Sequence, residues 1–228
     1  MVSVLGHARL ASAGAADGTG NDLDNTLYAG AGDNRLDGGA GTDTVSYVYA
    51  TAAVTVSLAS EAAQATGSSG TDTLIRIENL TGSNYNDQLT GNGLDNVLNG
   101  GNGNDLLIGG MGNDILTGGA GQDIFRFDAL LNSASNRDTI RDFNVRDDTI
   151  ELDRGIFTAL SEAGTLDPHW LRAGTGCTSA ADSDDYVIYN KTTGALYYDA
   201  DADGPGDAVQ IATLSSGLAL TNLDFLVV

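Results

Sequence analysis

The sequence predicts an all-β fold, a parallel solenoid closed by a β-rich C-terminal cap, and three observations predict it. One large apolar residue returns every nine positions through two blocks of the chain. Between those residues lie clusters of Gly, Asn and Asp, the residues that turn a chain tightly. Beyond Asp128 the glycines thin out and aromatic residues return, as expected of a segment that must hide the last open coil of a solenoid.

Set out in nines from Gly82, the second block reads GSNYNDQLT, GNGLDNVLN, GGNGNDLLI, GGMGNDILT and GGAGQDIFR. Leu89, Leu98, Leu107, Leu116 and Phe125 take the eighth position, and Asp87, Asn96, Asp105, Asp114 and Asp123 the sixth. The earlier block reads GNDLDNTLY from Gly20, AGAGDNRLD from Ala29 and GGAGTDTVS from Gly38. Leu27, Leu36 and Val45 stand at its eighth positions. A fixed short period is the signature of a repeat architecture. Each repeat supplies a turn and then a short strand with one side chain inward and its neighbours outward.

The turns have the chemistry of a hard-cation site. Glycines at the first, second and fourth positions are expected to take positive φ and to turn carbonyl oxygens toward one point. The sixth residue adds a carboxylate, so each turn offers several oxygens and negative charge. Calcium accepts six to eight oxygens in flexible geometry, whereas magnesium demands a strict octahedron and zinc prefers nitrogen or sulfur. With two His and one Cys in the chain, little is present for a softer metal.

These nonapeptides resemble GGxGxDxUx, with U a large apolar residue, the repeat of the repeats-in-toxin (RTX, haemolysin-type) family. The best matches are 100–108, 109–117, 118–126 and 38–46, while 20–28 and 29–37 are degenerate, with Asn at position six. The resemblance implies a parallel β-roll, a right-handed calcium-binding solenoid in which two nonapeptides make one coil and calcium lies between turns eighteen residues apart. By that rule 82–87 stacks on 100–105 and that on 118–123; 91–96 stacks on 109–114; 20–25 stacks on 38–43. Three strong calcium sites and one weaker upstream site are expected. The ligand candidates are Gly82, Asn84, Asn86 and Asp87; Gly91, Gly93, Asp95 and Asn96; and Gly100, Gly101, Asn102, Asn104 and Asp105. With them stand Gly109, Gly110, Met111, Asn113 and Asp114, and Gly118, Gly119, Ala120, Gln122 and Asp123. Upstream they are Gly20, Asp22, Asp24 and Asn25, then Gly38, Ala40, Thr42 and Asp43.

Position seven should face outward, yet it is Val97, Leu106, Ile115 and Ile124 in the second block. Three accounts stand: β-propensity, cover by the C-terminal segment, or docking of a partner domain. Residues 46–81 break the phase. Val54, Val56 and Leu58 alternate as a strand, Leu74, Ile75 and Ile77 cluster, and 59–70 reads as a small polar loop. We read 46–81 as wider coils of the same solenoid.

In the C-terminal segment Ile140, Phe143, Ile150 and Leu152 are core candidates, and DYVIYN, ALYYDA and AVQIATL read as strands. This segment resembles the one that follows the repeats in serralysin-like proteases. Within it Asp199-Ala-Asp201-Ala-Asp203-Gly204 matches the first six places of an EF-hand loop, but Gln210 replaces the closing Glu. A weak calcium site and an acidic β-turn both fit. The ending Asp224-Phe225-Leu226-Val227-Val228 resembles the uncleaved signal read by type I (ABC) exporters, with a last edge strand as the alternative.

The sequence thus divides into 1–17, a leader or linker; 18–127, the roll; and 128–228, the cap and secretion-signal region. Ten Lys and Arg against 31 Asp and Glu leave a charge of −21, which argues against nucleic acid as a partner and makes compaction costly without cations. The apolar run in 1–14 is broken by His7 and Arg9 and makes a poor Sec signal, and no stretch approaches a transmembrane segment. No HExxH or GxSxG occurs, and His169, beside Trp170, fits a structural place better than a base. The reading is a secreted, extracellular, non-catalytic module whose partners are calcium ions and type I secretion machinery. The alternatives are the C-terminal portion of a secreted protease, lipase or alginate epimerase, or a piece of a surface adhesin, with an upstream catalytic or adhesive domain.

Overall fold

A computed structural model describes residues 2–3, 7–9 and 16–228, with side chains from residue 17 onward. Among the described residues helix is confined to three short 3-10 turns, Gly67–Ser69, Pro168–Trp170 and Asn222–Asp224. Everything else with regular structure is strand, as a chain of short β-prone runs broken by turn residues dictates.

The strands form a flattened parallel solenoid. One face is an eleven-stranded sheet, and the other is built from a five-stranded and a seven-stranded sheet. Within the repeats each strand pairs with the one a full coil away: Val97 sits opposite Ile115 and Leu98 opposite Leu116 on one face, Leu106 opposite Ile124 and Leu107 opposite Phe125 on the other. The eighth-position residues Leu27, Leu36, Val45, Leu89, Leu98, Leu107, Leu116 and Phe125 are all 0 % exposed. Burying such side chains contributes about 1.5–3 kcal/mol each, and they form one continuous core with those of the cap. The position-seven residues Val97, Leu106, Ile115 and Ile124 are half-buried, each against its in-register partner. Stacked apolar pairs of this kind stabilise adjacent strands, which accounts for them by β-pairing.

Residues 46–81 share sheets with the repeats on both sides. Val45 pairs with Leu80, so the eleven-stranded sheet runs on without a gap. Between them Thr55–Ser57 joins Gln88–Thr90, and Thr71–Ile75 joins Asn34–Asp37. The stretch 59–70, expected as a loop, contains the strand Gln64–Ala65 and the Gly67–Ser69 turn. Ahead of the repeats, Val2–Ser3 pairs with Ala16–Thr19 and His7–Arg9 with Thr26–Tyr28.

Downstream, Asp138–Ile140 and Thr149–Leu152 extend the two faces by one more coil. Val209–Thr213 then pairs in parallel with Asp138–Ile140, and beyond it the direction alternates, with Ala195–Tyr198 and Val187–Asn190 completing an antiparallel meander. These are the three strands expected from DYVIYN, ALYYDA and AVQIATL. Ile140, Phe143, Ile150 and Leu152 are buried. On the other face Phe225–Val227 lies parallel to Thr149–Leu152.

Candidate metal centres

The sixth residues form ladders along the two edges of the roll. The Asp87 N–H donates to Asp105 Oδ1 at 2.7 Å, and the Asp105 N–H donates to Asp123 Oδ1 at 2.9 Å. On the opposite edge Asn96 N–H donates to Asp114 Oδ1, and upstream Asn25 N–H donates to Asp43 Oδ1, both at 2.7 Å. Every stacking pair expected from the repeat is therefore present in register.

One carboxylate oxygen of each pair is left over. Asp43 Oδ2, Asp105 Oδ2, Asp114 Oδ2 and Asp123 Oδ2 are buried without a hydrogen-bond partner. Each belongs to the later turn of one expected pair. An unpaired buried carboxylate oxygen is costly, so these four oxygens fit a cation. The turns that open each stack differ. Asp87 is satisfied by the Ser83 N–H and hydroxyl and by the Val54 N–H. Asn96 accepts from Asn92 N–H and donates to Glu78 O. Asn25 accepts from Asn21 N–H. The Asn96 and Asn25 amides carry no charge for an ion to balance, and Asp87 already has donors on both oxygens.

Main-chain oxygens line the same gaps. A Cβ at Gly101 would lie 2.5 Å from Ser83 O, and one at Gly103 would lie 2.6 Å from Tyr85 O. At Gly119 the clash is worse, with Gly101 O at 1.9 Å, and φ is +105°, so only glycine fits. The expectation of positive φ at all three glycine positions needs correction. Second and fourth positions such as Gly110 and Gly112 show it, but Gly100, Gly109 and Gly118 do not. First-position glycines are required by space instead: a Cβ at Gly100 would meet Asp105 Oδ2 at 2.2 Å. The carbonyls of Ser83, Tyr85, Asn92 and Leu94, not named from the sequence, face these gaps, and the only signal for them is their place opposite a glycine one coil away.

The fifth-position side chains make a second ladder. Asn86 Oδ1 accepts from Asn104 N–H and Asn104 Oδ1 from Gln122 N–H, both at 2.9 Å. Asp95 Oδ1 accepts from Asn113 N–H, and Asp24 Oδ1 from Thr42 N–H. At position three Asn102 donates to Asn84 Oδ1. Among the described residues no three His, Cys, Asp or Glu side chains converge on one point. A cation in these turns would therefore meet fewer than three carboxylates and would draw its remaining ligands from amide and main-chain oxygens, the donor set that suits calcium.

Burial pushes the Asp105 carboxyl up to about 7, with the charges of Asp87 and Asp123 adding to it and the Asp87 N–H opposing. Burial likewise raises Asp114 and Asp123 to about 6, and Asp43 rises for the same reason. The fold thus holds carboxylates where ionisation is costly unless a counter-charge arrives.

Four ladder members escaped the sequence reading. Asp138 Oδ1 accepts from Asp114 N–H and Asp148 Oδ1 from Asp123 N–H, both at 3.0 Å. Glu78 Oε2 accepts from Asp43 N–H, and Asp72 Oδ1 from Asn34 N–H. Each stands two residues before a buried apolar residue, Ile140, Ile150, Leu80 or Leu74, and that spacing is the signal that finds them without glycines. In the cap, Asp199 is buried while Asp201 and Asp203 are exposed. Gln210 lies in a strand opposite Tyr197, so the loop does not close as an EF-hand.

Residues 19–47 and 90–125 match the family described as RTX calcium-binding nonapeptide repeat, in four copies. The matched segments are under a third of the chain. No curated protein matches the chain. Among 34 similar solved chains is the extracellular lipase LipA from Serratia marcescens, with 16% identity and a TM-score of 0.29. The similarity covers 99% of this chain and 40% of the lipase.

Proposed function

We propose that this chain, whose RTX nonapeptide repeats bind calcium, is a non-catalytic module of a secreted protein that folds when calcium becomes available outside the cell. The observation that carries this reading is the set of four buried, unpartnered oxygens, one for each stacked pair of turns. Calcium supplies the positive charge and the oxygen coordination that those carboxylates lack. The later-turn Asp105, Asp114, Asp123 and Asp43 give it a carboxylate each, and the facing carbonyls complete the shell. Gly82, Gly91, Gly100 and Gly20 keep the gap open, because a side chain there would fill it.

Calcium-binding extracellular modules bind with dissociation constants of about 10⁻⁴–10⁻³ M, far above cytosolic calcium. Inside the cell the facing carboxylates repel one another, and the chain stays open enough to thread a type I (ABC) exporter. Outside, binding to the folded state alone stabilises it by mass action. Circular dichroism of the full chain in chelator and in millimolar calcium tests the proposal. A gain of β-structure on adding calcium, with magnesium a poor substitute, is the expected result. Identical native-like spectra in both conditions would overturn it.

A further inference from the structure

A fifth buried carboxylate oxygen without a partner, Asp199 Oδ1, lies outside the nonapeptide turns. Asp199 is 2% exposed and follows directly on Ala195–Tyr198. That strand runs antiparallel to Val187–Asn190, with Tyr198 opposite Val187. The Asp199 N–H donates to Tyr186 O at 2.9 Å and carries the pairing one residue further. Asp185, 8% exposed, stands at the same end of the hairpin, its Oδ2 taken by the Ala181 N–H.

After Asp199 the chain curls back on itself. Ala202 takes φ +50°, a left-handed conformation costly for a residue with a Cβ. Gly204 N–H donates to Asp201 O at 2.9 Å, and Gly206 N–H donates to Asp201 Oδ2 at 3.0 Å. A Cβ at Gly204 would lie 2.3 Å from Asp201 Oδ2. The curl brings the Asp201 carboxyl into hydrogen-bond contact with that of Asp199, which also accepts from the Asp201 and Ala180 N–H groups and keeps Oδ1 unpartnered. Two carboxyls therefore meet where one of them is buried, and a strained turn holds them there. Such an arrangement is stable only with a proton or a cation between the charges.

We propose that Asp199 and Asp201, enclosed by the loop 199–204, form a divalent-cation site of calcium class in the cap, independent of the repeat turns. Its two carboxylates offer oxygen, the donor that calcium prefers. Gln210 takes no part, since its amide donates to Ala212 O and Thr213 Oγ1. The ion joins the end of the hairpin to the returning chain and so fixes the mouth of the meander.

The test counts calcium ions bound to the full chain at saturation, by equilibrium dialysis, in the parent protein and in Asp199→Asn and Asp201→Asn. Each variant is expected to bind one ion fewer, with the calcium midpoint of β-structure formation unchanged. Asp201 is exposed, so Asp201→Asn decides the matter if Asp199→Asn fails to fold. Equal counts in the parent and in Asp201→Asn would overturn the cap site. If Asp105→Asn alone lowers the count, the repeats bind calcium and only the cap site falls. A parent chain that binds no calcium at all would overturn both readings.

Discussion

The Tyr47 hydroxyl donates to Asp72 Oδ2 at 3.0 Å, and the Thr66 hydroxyl reaches the same oxygen at 2.8 Å. Asp72 ends the stretch GSSGTD at 67–72, a turn of the repeat type inside the wide coil. Its Oδ1 takes the Asn34 N–H as Asp105 Oδ1 takes that of Asp87. The second oxygen, which Asp105 leaves unpaired, is here satisfied by two hydroxyls. The same turn is thus stabilised in two ways, with side-chain donors in the wide coil and with a cation in the repeats.

Tyr47→Phe is expected to destabilise the calcium-loaded chain by about 1–3 kcal/mol, because it removes a buried donor from a carboxylate. The number of bound calcium ions should not change. Denaturant unfolding in saturating calcium, paired with an ion count, checks both. A lost ion would mean that Asp72 belongs to a metal centre after all.

The repeats were legible because one apolar side chain per nine residues must point inward and because glycine is forced where a neighbouring coil comes too close. Both constraints leave a mark at fixed spacing, and the resemblance to the repeats-in-toxin nonapeptide, with two repeats per coil, then implies the stacking of Asp87, Asp105 and Asp123. The turn at 67–72 was missed because the longer coil shifts it out of the nine-residue phase. Asp138 and Asp148 were missed because their turns lack the glycines and keep only the Asp and the inward Ile140 or Ile150. Main-chain ligands at Ser83, Tyr85, Asn92 and Leu94 carry no residue-type signal at all, since any residue has a carbonyl.

Asp105→Ala is expected to raise the calcium concentration needed for folding more than Asp43→Ala. Asp105 accepts from Asp87 and donates to Asp123, so it stands in two stacked pairs. Asp43 accepts from Asn25 and donates to Glu78, and takes part in one nonapeptide pair. Calcium titrations followed by circular dichroism give the two midpoints. Equal shifts would show that the two-sided stacking of Asp105 has no energetic consequence.

Acid should substitute in part for calcium. The folded-state carboxyls of Asp114 and Asp123 lie at about 6, Asp105 at about 7 and Asp138 at about 8, all above the ordinary value of 3.8. A group raised in the folded state contributes stability that is fully present below its unfolded pKa and is lost as pH rises through its folded pKa. The calcium-free chain should therefore gain β-structure as pH falls from about 8 toward 5, while its calcium midpoint rises because protons compete for the same oxygens. Circular dichroism in chelator across that range is the measurement. A chelated chain that stays equally unfolded down to pH 5 would contradict the burial of these groups.

Deleting residues 223–228 should weaken calcium-driven folding, contrary to the sequence-based expectation that the tail serves mainly as an exporter address. Phe225 and Val227 are buried, opposite Ile150 and Leu152. Asp224 closes a capping box with Thr221, and Val228 O accepts from Arg154 N–H. The strand that this tail covers begins next to Asp148, which receives the Asp123 N–H at the end of one ladder. Loss of the tail therefore exposes the coil that terminates a calcium stack. Two apolar side chains at about 1.5–3 kcal/mol each set the scale, enough to move the calcium midpoint upward several-fold. Export is a separate readout, because under the proposed type I route the tail would be recognised before the chain folds, when Phe225 and Val227 are accessible. Phe225→Ala with Val227→Ala keeps the length and removes the packing, so a raised midpoint in this variant assigns the effect to the core. An unchanged midpoint in both the deletion and the double variant would show that the terminal strand adds nothing to the roll.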